Sequence, residues 1–203
     1  EATVPVLQEP QLGTAHAVAQ AAPLLADATG DAIVLYGDTP FIRPETLEAM
    51  LAARSAHAVV VLGFHAANPG RYGRLIAEGD ILHRIVEWKD ATDSERAVTL
   101  CNSGVLCADA ATLMRLCAAV GNANAAGEYY LPDVVNIAIA DGRPCAVVVT
   151  DDADEVAGIN ARAELAAAES RWQQRRRAQA MADGATLIAP ETVWFAWDTQ
   201  IGR

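Results

Sequence analysis

The sequence predicts an α/β protein, in which helices pack against a sheet of buried strands. Short apolar runs alternate with longer amphipathic stretches, which is the pattern of strands interleaved with helices. Hydrophobic residues make up 52% of the 203 residues and charged residues 20%, which suffices for a packed core and excludes a wholly disordered chain. We expect one large domain, or one domain with an appendage, because about 150 residues is the usual guide to a domain.

The first half of the chain contains the clearest elements. Residues 32–36 are apolar on both faces and predict a buried parallel strand. Before it, residues 15–25 predict a helix that Thr14 is placed to cap. After it, Pro44 and Glu45 open a second helix, because proline fits the first turn and an acid favours the positive end of a helix.

The later elements follow from the same patterns. The stretch 72–88 predicts an antiparallel hairpin, because two apolar segments are joined by Glu78-Gly79-Asp80. We also predict strands at 58–64, 104–107 and 145–150, and helices at 110–120, 131–140 and 162–179. The triplet Arg175-Arg176-Arg177 lies on the last helix, where it predicts a solvated face.

Charge and cysteine usage limit the classes of function. With 15 basic and 26 acidic residues, the net charge of −11 has the wrong sign for binding nucleic acid, so no such partner is expected. An acidic protein that binds a phosphorylated ligand needs a divalent cation or a few placed donors. The 4 cysteines lie in apolar runs without metal-ligand spacing, which predicts buried thiols in a reducing compartment. Without a membrane-length apolar run or a secretion signal, we expect a cytoplasmic protein with no membrane partner.

Two loops are candidate ligand sites. Asp38 follows the strand 32–36, and ligands of open α/β sheets bind beyond the carboxyl ends of strands. Its carboxylate suits a hard cation such as Mg²⁺, but an aspartate before Pro40 is equally typical of a capped turn. Residues 8–14 lead into the first helix through Gly13, where free amides could receive a polar ligand or simply start the helix.

Motifs spread over nearly the whole chain carry a family resemblance. In order, they are Gln8-x-x-Gln11-Leu12-Gly13-Thr14-x-His16-Ala17, Tyr36-Gly37-Asp38-x-Pro40, Gly70-x-Tyr72-Gly73-Arg74, Ile85-Val86-Glu87-x-Lys89-Asp90-Ala91, Asn102-x-Gly104, Gly127-Glu128-Tyr129-Tyr130 and Glu155-x-x-Gly158-x-Asn160-x-Arg162. Together they resemble the uridylyltransferase domain of the bacterial bifunctional N-acetylglucosamine-1-phosphate uridylyltransferase and glucosamine-1-phosphate acetyltransferase family. Motifs in this order are far more specific than any one of them.

The resemblance implies a Rossmann-like nucleotide-diphospho-sugar transferase fold with a mixed, mostly parallel sheet and an antiparallel hairpin insertion. Gln8, Gly13 and Thr14 match family positions that recognise uracil. Their amide, backbone and hydroxyl groups suit the fixed donors and acceptors of that base. Tyr36 and Gly37 match positions that line the cleft for the sugar nucleotide.

The resemblance also implies a metal site and a sugar site. Asp38 and Asn160 match the pair that holds Mg²⁺, and they are the implied catalytic residues. Gly73, Glu87 and Asn102 match the residues that contact the amino sugar. Two further residues match a segment nearby, namely Glu128 and Tyr130.

Taken singly, three of these residues have simpler interpretations. Glu87 could form an exposed ion pair with Lys89, and Asn102 could be a turn residue. Asn160 could cap the helix that begins before Arg162. The ordered set of motifs favours the ligand-binding interpretation of all three.

The implied reaction transfers uridylyl from UTP to N-acetylglucosamine 1-phosphate, giving UDP-N-acetylglucosamine and pyrophosphate for the synthesis of peptidoglycan and lipopolysaccharide precursors. Catalysis would depend on positioning of the two substrates by the protein and on neutralisation of their charge by Mg²⁺. No covalent intermediate is needed. Two alternatives stay open. One is a non-catalytic fragment that binds a UDP-sugar, and the other is a related nucleotidyltransferase for another sugar or base.

The chain departs from the family at both ends. The family's glycine-rich phosphate loop, with its arginine and lysine, is absent before Glu1, which suggests that about 70 residues, half an average domain, are missing. We therefore predict an N-terminally incomplete nucleotidyltransferase domain at 1–160 and a connecting helix at 161–183. Residues 184–203 resemble the start of a left-handed β-helix, the part through which the family forms homotrimers. Acetyltransferase activity is not expected from this chain.

Overall fold

The structure, a computed structural model, describes residues 3–202. The chain forms two compact units, the first ending at Ala157 and the second beginning at Gly158. The first unit contains the sheet and the helices that pack on it, and the second contains the long C-terminal helix. No helix in the described range is both long and apolar enough to cross a membrane.

The first unit is built on a mixed sheet. Its strands are β1 Asp31–Val34, β2 Val59–His65, β3 Arg74–Glu78, β4 Ile81–Val86, β5 Leu100–Asp109 and β6 Cys145–Thr150. Their order across the sheet is β1-β5-β2-β6-β4-β3. The predicted hairpin is confirmed as β3 and β4. Among the described strands, β2 and β6 form the one parallel pair, so the sheet is mixed as expected but less parallel than the resemblance implies.

The first strand differs from its prediction. The apolar run 32–36 was predicted to be a buried parallel strand, but β1 ends at Val34 and pairs antiparallel with β5. In the described part of the chain its other edge has no strand partner, so it is an edge strand with half-exposed side chains. Tyr36 is therefore not part of the strand and lies in the loop that follows it.

Six α-helices occur within residues 3–202. They are α1 Thr14–Ala19, α2 Pro44–Arg54, α3 Asp93–Arg96, α4 Ala110–Ala119, α5 Asp133–Ala140 and α6 Arg162–Ala182. Short 3₁₀ turns lie at Ala22–Leu24, Ala153–Val156 and Pro190–Thr192. The helix predicted over 15–25 is divided between α1 and the first of these turns, where Pro23 lacks the N–H that would continue an α-helix.

Helix α3 was not predicted, because it is too short for periodicity to reveal. It is held by a capping box, in which the Thr92 hydroxyl accepts from the backbone N–H of Glu95 and the Glu95 carboxylate accepts from that of Thr92. The residues of this box are visible in the sequence, so this motif alone could have located the helix.

Two hydrophobic cores lie on the two faces of the sheet. Side chains of β2 alternate between them, because successive residues of a strand point to opposite faces. Val59 and Val61 join the core that also contains residues of α1, α4 and α5. Val60 and Leu62 join the core that contains Met50 of α2. All 4 cysteines are buried and free, as the sequence predicts.

In the second unit, helix α6 packs against an irregular C-terminal stretch. Buried Gln173 donates to the carbonyl of Phe195 at 2.8 Å and accepts from its N–H at 2.9 Å. Arg176 donates to the carbonyl of Thr199 and Arg177 to that of Val193. The arginine triplet is therefore not simply a solvated face, because two of its guanidinium groups supply donors to carbonyls that lie outside regular structure.

Candidate active site

The segment that precedes α1 is fixed against the segment that precedes α5. Tyr129 donates its N–H to the carbonyl of Leu12 at 2.8 Å and accepts from the N–H of Ala15 at 2.9 Å. Between them, Gly13 has a φ of 118°, and a Cβ there would stand 2.6 Å from the carbonyl oxygen of Tyr129. Glycine is required at this position for both reasons, since a side chain would be strained and would clash.

Thr14 does not cap α1, contrary to the sequence prediction. The residue at the N-cap position is Gly13, and Thr14 is the first residue of the helix. Its hydroxyl accepts instead from the backbone N–H of Leu131 at 2.9 Å. The side chain is therefore a second link between the two segments rather than part of its own helix.

The amide of Gln8 is oriented by its neighbours. Its Nε2 donates to the carbonyl of Gly13 at 2.9 Å and lies 3.0 Å from Nδ1 of His16. Since a carbonyl can only accept, this contact identifies the nitrogen end of the amide. Hydrogen bonds within residues 3–202 leave the Oε1 atom of Gln8 available to a ligand.

The loop after β1 presents three of the predicted residues. Thr39 closes a turn by donating its N–H and its hydroxyl to the carbonyl of Tyr36, at 3.2 and 3.0 Å. This corrects one interpretation of Asp38, because the residue whose side chain closes the turn is Thr39. Gly37 and Asp38 are exposed, and none of the hydrogen bonds described for this chain between residues 3 and 202 uses the Asp38 carboxylate.

Tyr36 lies at the centre of the predicted residues. Burial raises the pKa of its hydroxyl, a hydrogen bond with Thr14 opposes that rise, and the negative charges of Glu87 and Asp38 add to it. Its ring fills the space that a Cβ would need at Gly104 of strand β5. Tyr36 therefore connects the Thr14 segment to the sheet.

The predicted sugar residues come together on three strands or strand ends. Asn102 donates its N–H to the carbonyl of Gly73 at 2.9 Å, and its Oδ1 accepts from the N–H of Gly104 at 3.0 Å. A Cβ at Gly73 would stand 3.0 Å from Oε1 of Glu87. Asn102 is 8% exposed and lies within β5 rather than in a loop, although its bond from the Gly104 N–H is the local bond typical of an Asx turn.

Glu87 is an unusual carboxylate. Burial raises its pKa, and the negative charges of Asp133 and Asp90 raise it further. In the described range it forms no ion pair with Lys89, which is exposed, so the alternative of a surface ion pair is wrong. A carboxylate held in this way is typical of a functional site.

A pocket of about 390 Å³ adjoins Glu87. Its lining residues are Arg71, Glu87, Trp88, Lys89, Ala126, Glu128 and Tyr130. Both less specific predictions, Glu128 and Tyr130, thus lie in the same pocket as Glu87, which the resemblance predicts to contact the sugar. Burial raises the pKa of Tyr130, followed by the charge of Glu128. Arg71 and Trp88 were not predicted as site residues, although each stands at an unspecified position inside one of the motifs.

Asn160 lies in the second unit, whereas the other predicted site residues lie in the first. The N-cap of α6 is Ala161, so the interpretation of Asn160 as the helix cap is wrong. Its backbone N–H donates to the carboxylate of Glu164 at 2.6 Å. Pairing of Asn160 with Asp38 around a metal ion stays a prediction. The described residues contain no cluster of three or more His, Cys, Asp or Glu side chains able to hold a metal by themselves.

The fold is similar to that of nucleotide-sugar pyrophosphorylases of known structure. A crystal structure of UDP-glucose pyrophosphorylase complexed with UDP-glucose matches with a TM-score of 0.61 at 14% identity, covering 83% of this chain and 65% of that chain. The nucleoside-diphosphate-sugar pyrophosphorylase from Vibrio cholerae RC9 matches with a TM-score of 0.60 at 16% identity, covering 79% and 66%. No family model matches the chain.

Sequence identity to curated proteins is much higher than to these structures. The chain is 66% identical over 198 residues to the bifunctional protein GlmU of Cereibacter sphaeroides (strain ATCC 17025 / ATH 2.4.3), covering 98% of this chain and 43% of that protein. It is 64% identical over 200 residues to GlmU of Novosphingobium aromaticivorans, covering 97% and 44%. We therefore identify the chain as homologous to the GlmU proteins over nearly all of its own length, and as spanning less than half of theirs. The resemblance drawn from the motifs is confirmed.

Proposed function

We propose that this chain carries a uridylyltransferase site, which transfers the uridylyl group of UTP to N-acetylglucosamine 1-phosphate. The products are UDP-N-acetylglucosamine and pyrophosphate. One observation carries the proposal: a continuous line of contacts runs from Thr14 through Tyr36, Gly104 and Asn102 to the Gly73 and Glu87 pair. This line joins the candidate base-binding residues to the candidate sugar-binding residues. The similarity to the GlmU proteins supports it.

Uracil recognition is assigned to Gln8, Gly13 and Thr14. The Gln8 nitrogen is engaged by Gly13, which leaves Oε1 to accept a hydrogen bond from the base. Uracil has an N–H donor at position 3, whereas cytosine has an acceptor there. A fixed acceptor on the protein therefore favours uracil, because cytosine would leave it unpaired.

Recognition of the amino sugar is assigned to Gly73, Glu87 and Asn102. Since the Asn102 oxygen accepts from Gly104, its Nδ2 is the group left to donate to the sugar. The ionised Glu87 carboxylate accepts from sugar hydroxyls, and Gly73 leaves room beside it. Tyr36 and Gly37 line the cleft between base and sugar, and Glu128 and Tyr130 line the pocket next to Glu87.

The reaction is a displacement at phosphorus. An oxygen of the sugar phosphate forms a bond to the α-phosphorus of UTP as the bond to the bridging oxygen breaks, and that oxygen leaves with the electron pair as part of pyrophosphate. The residues named above hold the two substrates in line for this step. Asp38 and Asn160 would hold Mg²⁺, which when bound supplies positive charge between two anionic substrates. The exposed Asp38 carboxylate fits that role, since a Mg²⁺ ion needs only one or two protein oxygens when phosphates and water provide the rest.

The family resemblance also supports the wider parts of the proposal. The reaction takes place in the cytoplasm and supplies cell-wall precursors. The complete protein forms a homotrimer through a β-helix. We do not assign acetyltransferase activity to the residues of this chain.

The test uses the protein produced as its complete natural chain, with release of pyrophosphate as the readout. Release should require UTP, N-acetylglucosamine 1-phosphate and Mg²⁺ together. Faster release with CTP or GTP would reject the uracil assignment and favour a related nucleotidyltransferase. Calorimetric binding of UDP-N-acetylglucosamine without any turnover would favour the non-catalytic alternative.

A further inference from the structure

Strand β4 loses its second neighbour partway along its length. One edge pairs with β3 along the hairpin, whereas the other edge pairs with β6 at Ile81, opposite Ala146. Past that point, no strand in the described part of the chain covers this edge. Ile85 is nevertheless 4% exposed, so its outward backbone groups need partners other than water.

A side chain of helix α5 supplies those partners. Oδ1 of Asn136 accepts from the N–H of Ile85 at 3.2 Å, and its Nδ2 donates to the carbonyl of Ile85 at 3.1 Å. The amide thus takes both hydrogen bonds that a neighbouring strand would take. The same Nδ2 lies 3.5 Å from Oδ1 of Asp133, one turn earlier on α5.

The two elements joined in this way carry two segments that line the pocket beside Glu87. Glu87 follows Ile85 by two residues and is directly followed by Trp88 and Lys89. Helix α5 begins at Asp133, just after the segment that contributes Glu128 and Tyr130. The Asn136 hydrogen bonds therefore fix the Glu87 segment relative to the Tyr130 segment.

We propose that Asn136 is a positioning residue for the amino-sugar pocket, which holds Glu87 and Tyr130 at the separation that the sugar phosphate requires. This inference rests on the proposed function, because it takes the pocket to be the sugar site. Asn136 does not contact the sugar in this proposal and acts through the backbone of Ile85. The expected consequence is a selective effect on the sugar substrate.

The test compares three variants in the complete natural chain. Asn136→Leu keeps a similar volume and removes both hydrogen bonds. Asn136→Asp is nearly isosteric, keeps the acceptor for the Ile85 N–H and loses the donor, so it serves where the leucine variant fails to fold. The control is Val135→Ala, which removes buried volume from the adjacent residue of the same helix and leaves the Asn136 amide intact.

Steady-state kinetics for each substrate give the readout. We expect Asn136→Leu to raise KM for N-acetylglucosamine 1-phosphate about tenfold and KM for UTP less than about twofold. A tenfold rise corresponds to the free energy of about one hydrogen bond, and we expect this loss in the binding of the sugar substrate alone. Asn136→Asp should also raise the sugar KM, because the carboxylate oxygen that replaces Nδ2 faces the Ile85 carbonyl and cannot donate to it. Val135→Ala should lower thermal stability and leave both KM values nearly unchanged.

Two results overturn the inference. One is an unchanged sugar KM in folded Asn136→Leu or Asn136→Asp, and the other is an equal rise of the sugar KM in Val135→Ala, which would show a general effect of weakened packing. Failure of the proposed function is separate, because the unmodified protein would then release no pyrophosphate from UTP and the sugar phosphate. In both of the results that overturn the inference, the unmodified protein still releases pyrophosphate.

Discussion

The ring of Tyr36 occupies the space that a side chain would need at Gly104. Gly104 has a φ of 89°, and the nearest atoms to a Cβ built there belong to the Tyr36 ring. This contact joins the loop after β1 to the central part of β5. The glycine of the Asn102-x-Gly104 motif is therefore explained by a tyrosine of another motif, far away in the sequence.

The first prediction concerns Gly104→Ala. The added methyl group displaces the Tyr36 ring, so affinity for UDP-N-acetylglucosamine should fall by about tenfold or more, through loss of a packed aromatic contact. The free energy of unfolding should also fall by about 1–3 kcal/mol, because alanine is strained at a positive φ. Calorimetry of the ligand and chemical denaturation measure the two effects.

Gly30→Ala is the matched control for this experiment. Gly30 has a φ of 103°, but a Cβ there would meet nothing within 4 Å. The control should therefore lose stability through strain and keep its ligand affinity. Equal loss of affinity in both variants would contradict the role given to the Tyr36 contact.

Much of the fold could be predicted from the sequence, and the exceptions have physical causes. Local sequence patterns located β2 as an apolar run, the β3–β4 hairpin as two apolar segments joined by a turn, and α6 as an alanine-rich stretch. The same reasoning failed at β1, because an apolar run shows neither the direction of a strand nor whether both its edges are paired. Strand pairing depends on residues distant in the sequence, which a local pattern does not contain.

The motifs predicted the residues of the candidate site, but they did not predict the contacts that those residues make. The sequence suggested that Thr14 caps its helix and left open that the Asp38 side chain caps a turn, whereas in the structure Thr14 accepts from the N–H of Leu131 and Thr39 closes the turn that contains Asp38. The prediction for Thr14 failed because a short polar side chain can serve either its own segment or a distant one. The raised pKa of Glu87 could not be predicted either, because its burial and the approach of Asp133 arise only in the folded chain.

The second prediction concerns the pH dependence of sugar binding. Burial and the charges of Asp133 and Asp90 raise the pKa of Glu87 above its ordinary value, so this carboxylate is protonated at a higher pH than usual. Protonation turns one carboxylate oxygen into a donor and removes the negative charge, so the group accepts more weakly from sugar hydroxyls. Affinity for UDP-N-acetylglucosamine should therefore fall as the pH falls through that raised pKa.

Asp133→Asn removes one of the charges that raise this pKa. The midpoint of the pH profile should move to lower pH, as calorimetry over a series of buffers can measure. Asp141→Asn is the matched control, because Asp141 ends the same helix and pairs with Arg115. A midpoint that stays fixed in Asp133→Asn, or moves equally in Asp141→Asn, would contradict the assignment.

The third prediction concerns Glu155, a fully buried carboxylate. It accepts from the backbone N–H of Arg43 at 2.9 Å, from the Arg43 guanidinium and from the hydroxyl of Thr150 at 2.7 Å. Glu155→Gln replaces one acceptor oxygen by a donor group that faces these donors. The free energy of unfolding should fall by about 1–3 kcal/mol, as measured by chemical denaturation at neutral pH.

The effect of Glu155→Gln should depend on pH. Burial alone would raise the pKa of Glu155, but hydrogen bonds from Thr46, Arg43 and Thr150 outweigh it and lower the pKa. The stability that this carboxylate contributes is therefore present above the unfolded-state pKa of about 4.3 and is lost as the pH falls through the lower folded-state pKa. The difference between the original protein and the variant should shrink over that range. The exposed Glu48→Gln is the control, and it should show little difference at any pH.

The last prediction tests whether Asp38 and Asn160 share one metal ion. Asp38→Asn removes the charge of an exposed carboxylate, so the Mg²⁺ concentration for half-maximal pyrophosphate release should rise by about tenfold or more. Asp27→Asn, at another exposed aspartate, should leave this Mg²⁺ concentration unchanged.

Asn160→Ala should act in the same direction as Asp38→Asn. If both residues ligate one ion, the double variant should be less impaired than the product of the two single effects, because the second substitution removes a ligand from a site already weakened. Independent, multiplicative effects in this cycle would place Asp38 and Asn160 in separate roles.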